Sequence, residues 1–318
     1  MSLIPIKKYK TSLRIIFAGT SKFAVQHLNA LLCSKHQIIA ILTKPDSISG
    51  RGNKICPSPI KSFALKKNII IITPKSLQSS KIKKKIYTLN ADLMLVVSYG
   101  LIIPKYILTM FPLGCINIHA SLLPRLRGPS PIERSILNGE TKTGITTFIM
   151  NEFIDTGDII HILQCPINNN DTKGSLYIKL YKIGIKCMFI TLFKIITRKY
   201  SLVKQNDTNA TYAKKIEKKE GQLNWNLPAE TLNRTIRAFN PYPTAYFIIN
   251  NHKIKVWKAS VLKNTKKYIP GKIVTLNKKG LQIATSHNIL NIQSIQMPGK
   301  KIINSIDIYN AYKKLFIP

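Results

Sequence analysis

From residue 13 to residue 119 the chain alternates short apolar runs with stretches of helical periodicity, and few architectures accept that alternation. The runs LRIIFAG, QIIAILT, NIIIIT, ADLMLVVS and CINIH read as strands. Between them, SKFAVQHLNALLCS, a segment from about residue 59 and a Lys-rich segment near 80 to 89 read as helices. Strands separated by helices pair in parallel, so the expected N-terminal domain is α/β, a Rossmann-like, doubly wound, mostly parallel sheet. Ligands of such sheets gather beyond the carboxyl ends of the strands. His119 closes the strand CINIH at such an end.

A further helix is expected to run to about residue 198. The segment KYSLVKQNDTNATYAKKIEKKEGQ then loses apolar periodicity and gains polar residues, as linkers do. After it come AYFII, a turn at Asn250 and Asn251, HKIKVWKASVL, PGKIVTL, GLQIATS and ILNIQSI. Short strands at this spacing suggest a small barrel or sandwich. The expected division is a catalytic domain over 1–198, a basic linker over 199–218 and a β domain over 219–318. A basic β domain of this size suits nucleic-acid binding, with docking or dimerisation as the alternative.

Charge sharpens that reading. The 318 residues carry a formal net charge of +36. Its placement matters more than its size. Residues 1–114 hold 18 basic and 2 acidic side chains, and 199–318 hold 21 and 5, whereas 115–160 hold 4 and 5. Phosphate backbones attract such proteins regardless of base sequence. Lys, Ile and Asn are abundant throughout, so base-composition drift is the competing origin of the excess. The charge-balanced block needs its own explanation.

At 45% hydrophobic the chain can bury sizeable cores, and no apolar run reaches the length of a membrane span. The start MSLIPIKKYK lacks the apolar centre of a signal peptide, so a cytoplasmic protein that makes no use of a membrane is expected. Five scattered cysteines without CxxC spacing argue for a reducing compartment and against a zinc site, and no metal is expected.

The balanced block contains NIHASLLPRLRGPSPIERSILNGE. On a strand, residues two apart share a face, so Asn117 and His119 point the same way, roughly 6.6 Å apart along the chain. A lone strand histidine is more often a core residue. Here the strand-like GITTFIM and the acidic turn EFIDTGDII follow, bringing Asp155 as a carboxylate able to hold an imidazole. Cys115 on the same face is a rival nucleophile, but four residues span roughly 13 Å, beyond hydrogen-bond reach of His119, and packing is its expected role.

These stretches resemble the 10-formyltetrahydrofolate-dependent formyltransferase family, whose catalytic Asn, His and Asp fall on Asn117, His119 and Asp155. LRIIFAGTSKFAVQHLNALL, TKPDSISGRGNK, SPIK, VVSYGLIIPK, IRAFNPYPTAYF, KVWKAS and PGKI extend the resemblance almost end to end, to the branch acting on methionyl-tRNA. The glycinamide ribonucleotide branch lacks a C-terminal domain, and it is the alternative, with a non-enzymatic RNA binder as the third possibility. Where the family commonly has Trp between two arginines this chain has Leu126, and the family's GAAP is GPSP.

The resemblance implies an OB-like β-barrel at the C-terminus that binds tRNA. It also implies transfer of formyl from 10-formyltetrahydrofolate to the α-amine of methionine on initiator Met-tRNA, by a monomer. The amine attacks the formyl carbon, Asn117 and a protonated His119 donate to the oxygen that gains charge, and Asp155 holds His119 and helps move the proton. Ser121, Leu122, Leu123 and Pro124, with the backbone of 152–154, are implied to line the folate site. Arg51 falls on the arginine of a loop that enters the tRNA acceptor end, with Lys54 close behind. The same loop is long for a strand-to-helix connection, and glycines flank Arg51.

Overall fold

The computed structural model describes residues 11–49 and 54–316. The chain divides into two compact units, one of residues 1–129, 143–165 and 178–213, the other of 130–142, 166–177 and 214–318.

In chain order the elements reaching the end of the first half are β1 (Arg14–Gly19), α1 (Lys22–Leu32), β2 (Gln37–Leu42), β3 (Ser47–Ser49), β4 (Lys54–Cys56), α2 (Pro59–Leu65), β5 (Ile71–Ile72), α3 (Ser80–Tyr87), β6 (Leu93–Val97), α4 (Lys105–Leu108), β7 (Cys115–His119), α5 (Pro131–Leu137), β8 (Lys142–Ile149), β9 (Ile159–Pro166) and α6 (Lys173–Thr197). Local chemistry starts the helices. Ser21 caps α1 by accepting from the Ala24 amide, and Ser58 caps α2 ahead of Pro59 at its first position.

The first unit is built on a seven-stranded sheet in the order β5-β2-β1-β6-β7-β8-β9. β1 pairs in parallel with β2 and β6, β2 with β5, and β6 with β7. β1 is buried on both faces, with Ile15, Ile16, Phe17 and Ala18 fully enclosed, which is why its sequence is a continuous apolar run. NIIIIT was expected as a strand, but only Ile71 and Ile72 pair; β5 is the sheet's edge and Ile70 is exposed. β8 runs antiparallel to β7, setting Thr146 opposite His119 and Phe148 opposite Asn117.

In the second unit α7 (Ala229–Ala238) precedes β10 (Ala245–Ile249), β11 (His252–Leu262), β12 (Ile273–Asn277), β13 (Gly280–Ala284), β14 (Ile289–Gln296), β15 (Ile302–Asn304) and α8 (Ser305–Phe316). The sheet runs β10-β11-β14-β13-β12, with β15 on β14, and all its pairs are antiparallel. Asn250 and Asn251 sit at φ 46° and 62°, the pair of left-handed residues that a two-residue hairpin needs. Leu232 and Ile236 of α7, with Ile308 and Phe316 of α8, pack with Ile254, Val256 and Leu290 in one core. This is the antiparallel β domain expected at the C-terminus.

The expected linker, 199–218, is largely built structure. Gln205 and Ala213 are buried, Val203 bridges Ile159, and the Arg127 amide donates to the Thr211 carbonyl while the Ala213 amide donates to the Arg127 carbonyl. Most of its side chains are exposed, while Gln205 and Thr211 turn inward and bond to backbone groups of the first unit. Residues 130–142 and 166–177, expected within the catalytic domain, join the second unit. There Arg134 pairs with Glu220 at 2.6 Å and Lys173 with Glu133 at 2.6 Å.

Candidate active site

β7 delivers Asn117 and His119 to one face at the carboxyl end of the sheet. His119 is buried, and its Nε2 lies 2.9 Å from the Leu126 carbonyl oxygen. A carbonyl only accepts, so Nε2 carries the hydrogen and Nδ1 is the nitrogen free to take a proton. Nδ1 faces Asp155 Oδ2 at 3.6 Å. The Asn117 amide has no side-chain hydrogen bond among the described residues and remains available to a ligand.

Leu126 sits at φ +58°, in the left-handed region that a branched side chain occupies at a cost. Its amide donates to Thr211 Oγ1 at 2.9 Å while its carbonyl receives His119. The backbone conformation at 126, not the side chain, holds the imidazole, so a Leu in place of Trp leaves that bond intact.

Asp155 lies in a left-handed conformation too, at φ +54°. Three contacts hold it there. Its Oδ2 accepts the Gly128 amide at 2.7 Å, and Gly128 itself has φ +110°, a conformation that favours glycine. The Gln205 amide nitrogen donates to the Asp155 carbonyl at 2.9 Å and to the Gly157 carbonyl at 2.8 Å. Gly157 presses against β8 so closely that an added Cβ would fall 1.7 Å from the Ile149 carbonyl oxygen. Upstream, Asn151 Oδ1 receives the Phe153 amide and the Thr156 hydroxyl, folding the loop on itself.

One guanidinium ties these pieces together. Arg127, 2% exposed, donates through Nε and Nη2 to Gln205 Oε1 at 3.1 and 2.9 Å and to Asp207 at 2.7 Å. Leu126 thus holds the imidazole and Gly128 the carboxylate, and Arg127 between them is anchored through Gln205. Neither Arg127 nor Gln205 was singled out from the sequence. Arg127 reads as one more surface charge, and Gln205 lies in the presumed linker; a lone Gln carries no signal there.

Cys115 is enclosed, and burial pushes its thiol far above the ordinary range, which suits packing and not nucleophilic attack. Ser121 is enclosed as well. Its hydroxyl donates to the Arg125 carbonyl, and Thr146 ties the Ser121 carbonyl to the Leu123 amide. Leu122 and Pro124 are half-buried, and Leu123 is buried. Of the neighbouring 152–154 segment, Phe153 and Ile154 are exposed, and the backbone groups of Glu152 and Ile154 have no hydrogen bonds among the described residues. Lys105 pairs with Glu152 at 2.7 Å. Exposed apolar side chains beside open backbone donors and acceptors suit a flat heteroaromatic ring with polar edges.

The long loop after β2 is partly strand. β3 and β4 pair antiparallel, with exposed Ile48 opposite exposed Ile55. Lys54 is exposed on β4. Arg51 lies outside the described residues.

Comparison with known proteins places both units. Residues 13–192 match the formyl transferase family model, and residues 215–313 match that family's C-terminal domain. The chain is 50% identical over 305 residues to a methionyl-tRNA formyltransferase of Buchnera aphidicola subsp. Acyrthosiphon pisum (strain Tuc7), covering 96% of this chain and 97% of the relative. Among solved structures, the sugar 3N-formyl transferase WlaRD is 26% identical with a TM-score of 0.64, covering 91% of this chain and 99% of that one. HypX from Aquifex aeolicus, 16% identical with a TM-score of 0.64, shares the fold across 96% of this chain, which spans about half (48%) of HypX.

Proposed function

Because this chain belongs to the formyl transferase family, we propose that it transfers a formyl group to the α-amine of methionine esterified to tRNA. The observation that carries the reading is the 50% identity to a methionyl-tRNA formyltransferase over nearly the whole of both chains, C-terminal domain included. The finer reading takes 10-formyltetrahydrofolate as donor and initiator tRNA as acceptor, with the protein a cytoplasmic monomer. Leu122, Pro124 and the 152–154 segment are suited to the folate's ring, while Ser121 supports the loop from beneath and leaves contact with the folate to its neighbours.

The donor supplies an activated one-carbon group, and the chain's own residues do the rest. Asn117, whose side chain has no hydrogen-bond partner among the described residues, donates a hydrogen bond to the formyl oxygen as charge develops on it. His119 takes up the amine's proton at Nδ1, because Nε2–H is committed to Leu126, and gives it up to the folate nitrogen as the bond between that nitrogen and the formyl carbon breaks. Asp155, 3.6 Å from that nitrogen, stabilises the imidazolium once formed. This differs from an imidazolium that donates directly to the oxyanion, since both ring nitrogens face protein groups. The expected contribution of Lys54 and Arg51 is to grip RNA, and the net positive charge of 199–318 adds sequence-independent attraction.

The test is direct. Purified protein is given 10-formyltetrahydrofolate with either Met-charged initiator tRNA or glycinamide ribonucleotide. Formyl-methionyl-tRNA is the expected product; formylation of the ribonucleotide alone, or of neither, overturns the reading.

A further inference from the structure

The second unit contains a cleft of about 370 Å³ that none of the steps above uses. Its apolar wall comes from Ile136, Ile167 and Val261, and its polar side from Asn233, Arg234 and Arg237. The two arginines are three apart on α7 and therefore share a helix face. Arg234 Nη2 donates to Thr231 Oγ1 at 3.1 Å, and its guanidinium lies over Gly139, where a Cβ would come within 3.3 Å of Nη1. Arg237 Nη1 donates to the Asp171 carbonyl at 2.9 Å.

Neither guanidinium has a carboxylate within ion-pair distance among the described residues. Glu230 and Glu140 also line the cleft, but Glu230 is engaged by Asn288 at 2.6 Å, and Glu140 has a partner of its own. Arg234 Nε, Arg237 Nε and Asn233 Oδ1 are buried without a protein partner, three of the eight such side-chain atoms among the described residues. Burial, and then the charge of Arg234, pull Arg237 below its ordinary value, against a smaller opposing effect of Asp171. Two neighbouring like charges with spare donors are a costly arrangement unless an anion joins them. Guanidinium forks match the oxygens of a phosphate, and the volume falls in the range of small-ligand sites.

We propose that this cleft binds a phosphate ester through Arg234 and Arg237, with Asn233 beside them and the apolar wall against the ester's organic part. The ester is a free nucleotide-sized molecule or a link of an RNA backbone. The experiment uses the full chain and four variants: Arg234→Gln, Arg237→Gln, Arg234→Lys and, as a control for loss of one exposed charge, Lys258→Gln. AMP and inorganic phosphate are titrated calorimetrically, and tRNA by filter binding at fixed salt.

Binding of AMP by the parent that weakens at least about tenfold in both Gln variants identifies a free ester. No AMP binding, with tRNA affinity falling about tenfold in both Gln variants and less than roughly threefold in Lys258→Gln, identifies the RNA backbone. In either case Arg234→Lys lies between parent and Gln, since it keeps the charge and loses the fork. The proposal is overturned if the parent binds neither AMP nor phosphate and the arginine variants bind tRNA as Lys258→Gln does. Should Arg237→Gln fail to fold for want of its Asp171 bond, the two Arg234 variants decide. Formylation by the parent is assayed separately, so a failure of the proposed reaction is not mistaken for a failure of this site.

Discussion

Replacing Gln205 with Glu separates holding the site from holding the fold. Gln205 is buried and makes four hydrogen bonds, two accepted from Arg127 and two donated to the carbonyls of Asp155 and Gly157. A neutral bond is worth roughly 1 kcal/mol net and one to a charged group roughly 1.5–3, so Gln205→Ala should cost at least about 5 kcal/mol and risks unfolding the unit. Gln205→Glu keeps the acceptor and turns the fork from Arg127 into an ion pair, which offsets much of the roughly 2 kcal/mol lost with the two donors. The thermal midpoint should therefore stay close to that of the parent. The Asp155 turn fares differently. It holds a left-handed aspartate that relaxes once its carbonyl faces a carboxylate, and a displacement of about 1 Å at a catalytic group costs roughly a hundredfold in rate. Single-turnover formylation at saturating tRNA, beside circular-dichroism melting and the KM for tRNA, reads all three quantities. A Glu variant that turns over within about twofold of the parent would show that the Gln205 amide does not position Asp155.

Asn117→Ala and His119→Ala should each lower turnover roughly a hundredfold, as loss of an oxyanion donor or a proton acceptor does, with tRNA affinity unchanged; near-normal turnover in both sinks the assignment. Affinity for tRNA should fall at least about tenfold between 50 and 200 mM salt, measured by filter binding, and an affinity indifferent to salt would deny the charge of 199–318 a role in binding. His27 is enclosed against Gly184, and burial lowers its imidazole from 6.5 to about 4. The unfolded chain takes up that proton from about pH 6.5 downward while the folded one resists until about 4. Stability is therefore full above that window and falls within it, by roughly 3 kcal/mol for this group. Urea midpoints at pH 7 and 4.5 should show a smaller difference in His27→Leu than in the parent, and an identical difference refutes the attribution.

What the sequence determined by itself was what local forces write into it. The apolar runs of β1 and β6 announced strands, and the Asn250–Asn251 pair announced a turn, because periodicity and turn chemistry act over a few residues. The period of two in CINIH likewise set Asn117 and His119 on one face before any partner was known. Their pairing with Asp155 was an expectation from chemistry and resemblance, and the fold supplied the 3.6 Å contact.

Only the tertiary structure decided how that pair is held. The His119 tautomer follows from the Leu126 carbonyl, Leu126 is fixed by Thr211, and Asp155 is fixed by Gln205 and Gly128. Leu126 and Thr211, like Arg127 and Gln205, stand about eighty positions apart in the chain, so no window of sequence contains both partners. The polar segment near residue 205 looked like a linker because solvated residues and residues that satisfy buried backbone have the same composition. Which of the two a residue is depends on what the rest of the chain places beside it.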